Sequence, residues 1–113
     1  MKRVIADYIE DIIDAMERAT DFVKGMTYKK FVQDDKTTFA VVRALEIIGE
    51  AVKNIPDGVR KDYPKMPWKD MAGMRDIVIH EYFGVELKII WKTVKNKIPK
   101  LKPLFKKILK DLE

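Results

Sequence analysis

The sequence predicts an all-α fold: an up-and-down bundle of four main helices plus a short C-terminal helix. Apolar residues recur at steps of three and four through most of the chain, the repeat of a helix with one buried face. No stretch alternates apolar and polar residues over a useful length, so no strand is expected. Gly25, the Pro56-Asp57-Gly58 cluster, Pro64, Pro67 and Gly84 separate the apolar stripes. No repeat, linker or low-complexity tract divides the chain, so residues 1–113 are read as one domain with one core.

The first helix is expected over Lys2 to Lys24, with Ile5, Ile9, Ile12, Met16, Ala19 and Val23 inward and Gly25 as its stop. A polar connection follows. Asp34-Asp35-Lys36-Thr37 offers N-cap residues for a second helix, whose stripe is Phe39, Val42, Leu45, Ile48 and Val52. Gly49 inside it costs about 1 kcal/mol against alanine, which points to a close crossing there. Pro56-Asp57-Gly58 ends this unit, and Val59 to Tyr63 reads as one short turn. A third helix is expected from Trp68 to Glu81 or Tyr82, broken by Phe83-Gly84-Val85. Glu86 opens a fourth with Leu87, Ile90, Trp91, Val94 and Ile98 inward. Pro99 and Pro103 bracket a restart, and Leu101, Leu104, Phe105, Ile108 and Leu109 form the last short helix.

Composition excludes several kinds of chemistry. Cysteine is absent, which removes disulfides, thiolate nucleophiles and cysteine zinc sites and fits a reducing cytoplasm. No apolar run is long enough to span a membrane, and the N-terminus lacks the apolar core of a signal peptide. The net charge is +5, but nine lysines and no acid fall between Lys88 and Lys110. The rest carries 14 basic residues against 18 acidic ones. A basic C-terminal third on an acidic body could attract a polyanion such as RNA, or be the solvated face of a helix.

The chain has a single histidine, His80, five residues after Arg75 and two before Tyr82. A guanidinium, an imidazole titrating near neutrality and a phenol in so short a span suit a phosphate-handling site. On a regular helix Tyr82 falls nearly on the face of Arg75, whereas His80 lies about 140° round the axis. One straight helix does not aim all three at a point; a helix break or a second chain would. The plainer alternative is a core histidine donating to a backbone carbonyl. Glu46 and Glu50 stand one turn apart like metal-binding carboxylates, but a di-iron bundle needs more histidine than this chain has, and Glu46 reads as a helix-surface partner of Arg43 or Lys53. Trp68 and Trp91 read as core or interface anchors.

These surroundings resemble the HepT-like branch of the HEPN superfamily. The resemblance rests on Arg75-x4-His80-x-Tyr82, on Arg43-Ala44-Leu45-Glu46-Ile47-Ile48-Gly49-Glu50-Ala51, on Pro67-Trp68 with Met71 and Gly73-Met74-Arg75, on His80-Glu81-Tyr82-Phe83-Gly84-Val85, and on Ile90-Trp91. It covers nearly the whole chain. Asp76 stands where many members have Asn. The resemblance implies a HEPN-like bundle that pairs as a homodimer, and a metal-independent endoribonuclease toxin without a cofactor. It further implies a neighbouring minimal nucleotidyltransferase antitoxin that adds AMP to the motif tyrosine. Arg75 and His80 would then be catalytic and Tyr82 the modified residue.

The chemistry suits these side chains. Metal-free RNA cleavage needs a base for the ribose 2′-hydroxyl, an acid for the leaving 5′-oxygen and a cation for the phosphorane. Imidazole serves the proton steps and the guanidinium the charge. One chain has one histidine, so a two-fold dimer would supply a matched pair. Lys88, Lys92, Lys95 and Lys102 are the candidate contacts to RNA or to the antitoxin. A different reading is a non-catalytic nucleotide-binding or scaffold subunit that docks the nucleotidyltransferase.

Overall fold

The computed structural model describes residues 4–75 and 86–113. It is all-α, and no strand occurs among the described residues. The helices are α1 (Ile5–Phe22), α2 (Tyr28–Gln33), α3 (Asp35–Lys53), α4 (Asp57–Asp62), α5 (Trp68–Ala72), α6 (Leu87–Lys92) and α7 (Ile98–Leu112), with a π-helical segment, Thr93–Lys97, between the last two.

The long helices α1 and α3 form the central pair, because both present apolar residues at helical spacing. Ile9, Ile12, Met16, Ala19 and Val23 are buried as expected, and Ile5 packs against the core's edge. The chain leaves α1 through Gly25, whose φ of 76° is the left-handed conformation that glycine adopts without steric cost. On α3, Val42, Leu45, Ile48 and Val52 are buried, joined by Thr38, Val41, Ala44 and Ala51. Phe39 corrects the expected stripe, since it is 58% exposed. It lies six residues before Leu45, about 120° round the axis and outside the buried arc.

Asp34 caps α3 as expected. Its Oδ1 accepts from the Thr37 N–H at 3.0 Å and its Oδ2 from the Thr37 hydroxyl at 2.8 Å. Both bonds favour the charged carboxylate and hold its pKa below the ordinary 3.8. At the other end of α3, Arg60 on α4 donates to two carbonyls, Nε to Ile55 at 3.0 Å and Nη2 to Val52 at 2.7 Å. A cation on carbonyls at a helix C-terminus complements the helix dipole.

The polar connection after α1 contains a helix that the sequence pattern did not reveal. Thr27 caps α2 by accepting from the Lys30 N–H at 3.2 Å, and Phe31 is fully buried. Phe31 stacks at 5.2 Å on Trp91, which Tyr28 meets at 6.0 Å. One aromatic anchored from another part of the chain makes a six-residue helix worth forming, and local periodicity cannot display that.

The second difference is at the C-terminus. The last helix is 15 residues long and runs on from α6 through the π segment without a break. Thr93 and Ile98 at the junctions keep right-handed helical dihedrals. Pro99 takes the first turn of α7, where its missing N–H matters least, and the preceding π turn makes room for its ring against the Lys95 carbonyl. Ile90, Val94, Ile98, Leu101, Phe105 and Ile108 are buried, while Leu87, Trp91 and Leu109 pack at the core's edge. Leu104, expected inward, is 43% exposed because it sits at the border of this stripe. The π segment and α7 pack on α1, α6 packs on α2 and α3, and α5 packs on α3. Trp68 meets Phe105 edge-on at 5.7 Å and donates from Nε1 to the Tyr63 carbonyl at 3.0 Å. Both tryptophans are therefore anchors within the chain. Among the described residues, no helix is long and apolar enough to cross a membrane.

Candidate active site

Arg75 is the one member of the candidate Arg75–His80–Tyr82 set that lies among the described residues. It follows α5 and Gly73, in a helical turn with Met74. Its backbone lies directly against α3 at Gly49. A Cβ on Gly49 would come within 2.9 Å of both the Cβ and the N of Arg75, closer than packed atoms tolerate. The close crossing foretold by Gly49 is therefore the docking point of the motif arginine.

The side chain is held from the next residue of α3. Arg75 Nε lies 3.8 Å from Glu50 Oε1, with the two side chains 42% and 45% exposed. Such a pair is worth at most about 1 kcal/mol of stability, so its consequence is orientation rather than stability. The guanidinium keeps other N–H donors for an anion. Glu46 pairs with Arg43 at 3.7 Å, as its spacing suggested, so the two carboxylates do not converge. Among the described residues no group of three or more His, Cys, Asp or Glu has a metal-holding arrangement. Glu50, weighed in the sequence only as a metal-type carboxylate, is a candidate site residue through its pairing with Arg75. Its signal was adjacency to the helix-interior glycine.

His80, Tyr82 and Asp76 lie outside the described residues. Of the candidate RNA-contacting residues, Lys88, Lys92 and Lys95 are exposed at spacings of four and three, on one helical face. Lys95 Nζ lies 5.1 Å from the Trp91 ring centre, a cation–π contact that holds the ammonium over the ring. Lys102 differs from them. It is half-buried and paired with the exposed Glu17 of α1 at 3.4 Å, which offsets part of its charge.

The helical bundle, the arginine seated on its long central helix and the lysine-rich last helix define a HEPN-like protein. The family model described as ribonuclease HepT-like matches residues 12–108. A Thermococcus cleftensis protein named "Probable ribonuclease HepT" is 52% identical over 97% of this chain and 100% of its own length. A Methanocaldococcus jannaschii protein provisionally named an RNase is 47% identical over 99% of this chain and 93% of its own. One from Caldanaerobacter subterraneus subsp. tengcongensis, also provisionally named an RNase, is 51% identical over 90% of this chain and 91% of its own. No solved structure matches the chain. The chain belongs to the HepT-like ribonuclease family, and is a ribonuclease by that membership.

Proposed function

We propose that this protein is a metal-independent endoribonuclease, the toxin of a toxin–antitoxin pair, with a composite site where two copies meet. The observation that carries the reading is the seating of Arg75. The Arg75 backbone is set against Gly49, and its Nε lies 3.8 Å from the Glu50 carboxylate, which biases the guanidinium toward one orientation before any phosphate arrives. Arg75 heads the Arg75-x4-His80-x-Tyr82 spacing on which the resemblance to HepT-like proteins rests.

In this mechanism one imidazole takes the proton of a ribose 2′-hydroxyl. The 2′-oxygen bonds to phosphorus and the bond to the 5′-oxygen breaks. A second imidazole, from the partner copy, protonates that leaving oxygen. Arg75 binds the non-bridging oxygens and stabilises the phosphorane's charge. The products are a 2′,3′-cyclic phosphate and a free 5′-hydroxyl.

Control follows from the same cation. The antitoxin, a minimal nucleotidyltransferase, directs the Tyr82 phenol oxygen onto the α-phosphorus of ATP, and pyrophosphate leaves. The resulting AMP sets an anion beside Arg75 and a nucleotide across the entrance, so inhibition needs no refolding.

The test is cleavage of single-stranded RNA by the purified protein in EDTA. Wild type cuts and His80→Ala does not, at closely similar melting temperature; equal cutting by both ends the mechanism. Intact mass of protein made with and without its partner reads the modification. The expected result is added adenylyl mass that Tyr82→Phe loses.

A further inference from the structure

The last helix and the short helix that precedes Arg75 enclose a cavity of about 600 Å³, within the range of small-ligand sites. Its lining has two parts. Met71, Met74 and Leu101 supply an apolar floor, and each is buried. Lys69, Lys97 and Lys100 stand at the exposed mouth with one acid, Asp70. The three lysines are exposed and form no ion pair among the described residues.

Two features tie this cavity to the reactive end of the molecule. Met74 in its floor is the residue immediately before Arg75. Thr93 and Lys97 in its wall are the first and last residues of the π turn, a distortion that recurs beside functional sites and turns side chains away from the regular helical direction. The Thr93 hydroxyl donates to the Ile89 carbonyl at 2.8 Å and retains acceptor capacity.

We propose that this cavity is a nucleobase subsite, taking one unstacked base of a single-stranded RNA next to the phosphate bound by Arg75. The occupant is argued from complementarity. Single-stranded RNA is recognised by splaying bases into pockets while cations track its backbone. Thioethers make favourable contacts with aromatic rings, so the accessible edge of Met74 suits the flat apolar face of a base. The lysines suit the phosphates on either side, and the Asp70 carboxylate suits an exocyclic amine or a 2′-hydroxyl. The tryptophans are otherwise engaged, Trp68 with Phe105 and Trp91 with Phe31. The inference takes its substrate from the ribonuclease reading, but its readouts do not depend on turnover.

The probe is a short single-stranded RNA carrying 4-thiouridine, bound to full-length His80→Ala protein, irradiated and mapped by mass spectrometry. Adducts are expected on Met74, Leu101, Lys97 or Lys100. In anisotropy titrations at fixed salt, Lys97→Glu with Lys100→Glu weakens binding about tenfold or more, whereas Lys29→Glu with Lys61→Glu, the same charge change outside the cavity, costs about twofold or less. Adducts confined to other surfaces, or equal losses in the two double variants, overturn the subsite. AMP that displaces the RNA at equal nucleotide concentration assigns the cavity to free nucleotide and overturns the RNA source. Failure of wild type to cut RNA removes the nuclease mechanism and leaves the adduct map to be read alone.

Discussion

Helix α1 and the run from Leu87 to Leu112 are built alike inside and oppositely outside. Each buries large residues at steps of three and four, Ile9, Ile12, Met16 and Ala19 in one, Ile98, Leu101, Phe105 and Ile108 in the other. The outer face of α1 carries Asp7, Glu10, Asp11, Asp14, Glu17 and Asp21, against nine lysines in the C-terminal run. The Lys102–Glu17 pair joins the two at 3.4 Å. Burial of the inner stripe stabilises the bundle and is indifferent to the sign of charge outside. The outer charge is therefore free to serve a partner, and long-range attraction to a polyanion follows it. Arg75 belongs to neither pattern. It is placed by a third contact, on α3, where a missing side chain rather than a present one sets the distance.

The separation of scaffold from chemistry can be broken in several places. His80→Ala or Arg75→Ala should have the largest effect on activity, a loss of about 10²–10⁴-fold in RNA cleavage, with melting temperatures close to wild type. A comparable drop in melting temperature would merge site and scaffold. Phe105→Ala should do the reverse. Losing a fully buried ring from the edge of Trp68 should cost about 3–5 kcal/mol in urea unfolding, with cleavage per folded molecule retained.

Gly49→Ala lies between the two. Helix propensity favours alanine by about 1 kcal/mol. Pushing a Cβ into the backbone of Arg75 costs about 1–3 kcal/mol and moves the guanidinium. Overpacking should win, so the variant is expected to melt lower and to cut RNA more slowly even where fully folded. A more stable variant with full activity would show the crossing to be loose. Glu50→Gln should be milder, less than about tenfold in cleavage, because an exposed pair is worth at most about 1 kcal/mol. Its readout is kcat against KM at unchanged melting temperature.

The smallest effect belongs to the cap of α3. Asp34→Ala should lower the melting temperature by a few degrees at neutral pH without touching activity. Because the folded carboxyl titrates below its ordinary 3.8, the cap's contribution is complete above that value. It is lost as pH falls through the lower folded pKa. Melts of wild type and variant should therefore converge only in strong acid. A difference that persists there would mean the cap acts through the helix start and not through the carboxylate.

The sequence by itself determined the all-α class and most of the buried residues, because a helix with one wet face must repeat apolar residues at its own turn. It also determined the stop at Gly25, the cap at Asp34, the close crossing at Gly49 and the concentration of charge on the last third, each a local property of the chain. It offered His80 as a candidate because no other histidine exists, and Arg75 and Tyr82 as candidates by their spacing from it and by the family resemblance. Tertiary structure decided the rest. It decided that residues after Thr27 form a helix, because Phe31 finds Trp91. It turned Phe39 and Leu104 outward and carried the last helix through Pro99 with a π turn. It chose which residue meets Gly49, and it set Glu50 on Arg75. Those are contacts between residues far apart in the chain, where the outcome depends on which faces meet, and a one-dimensional period records only that a face exists.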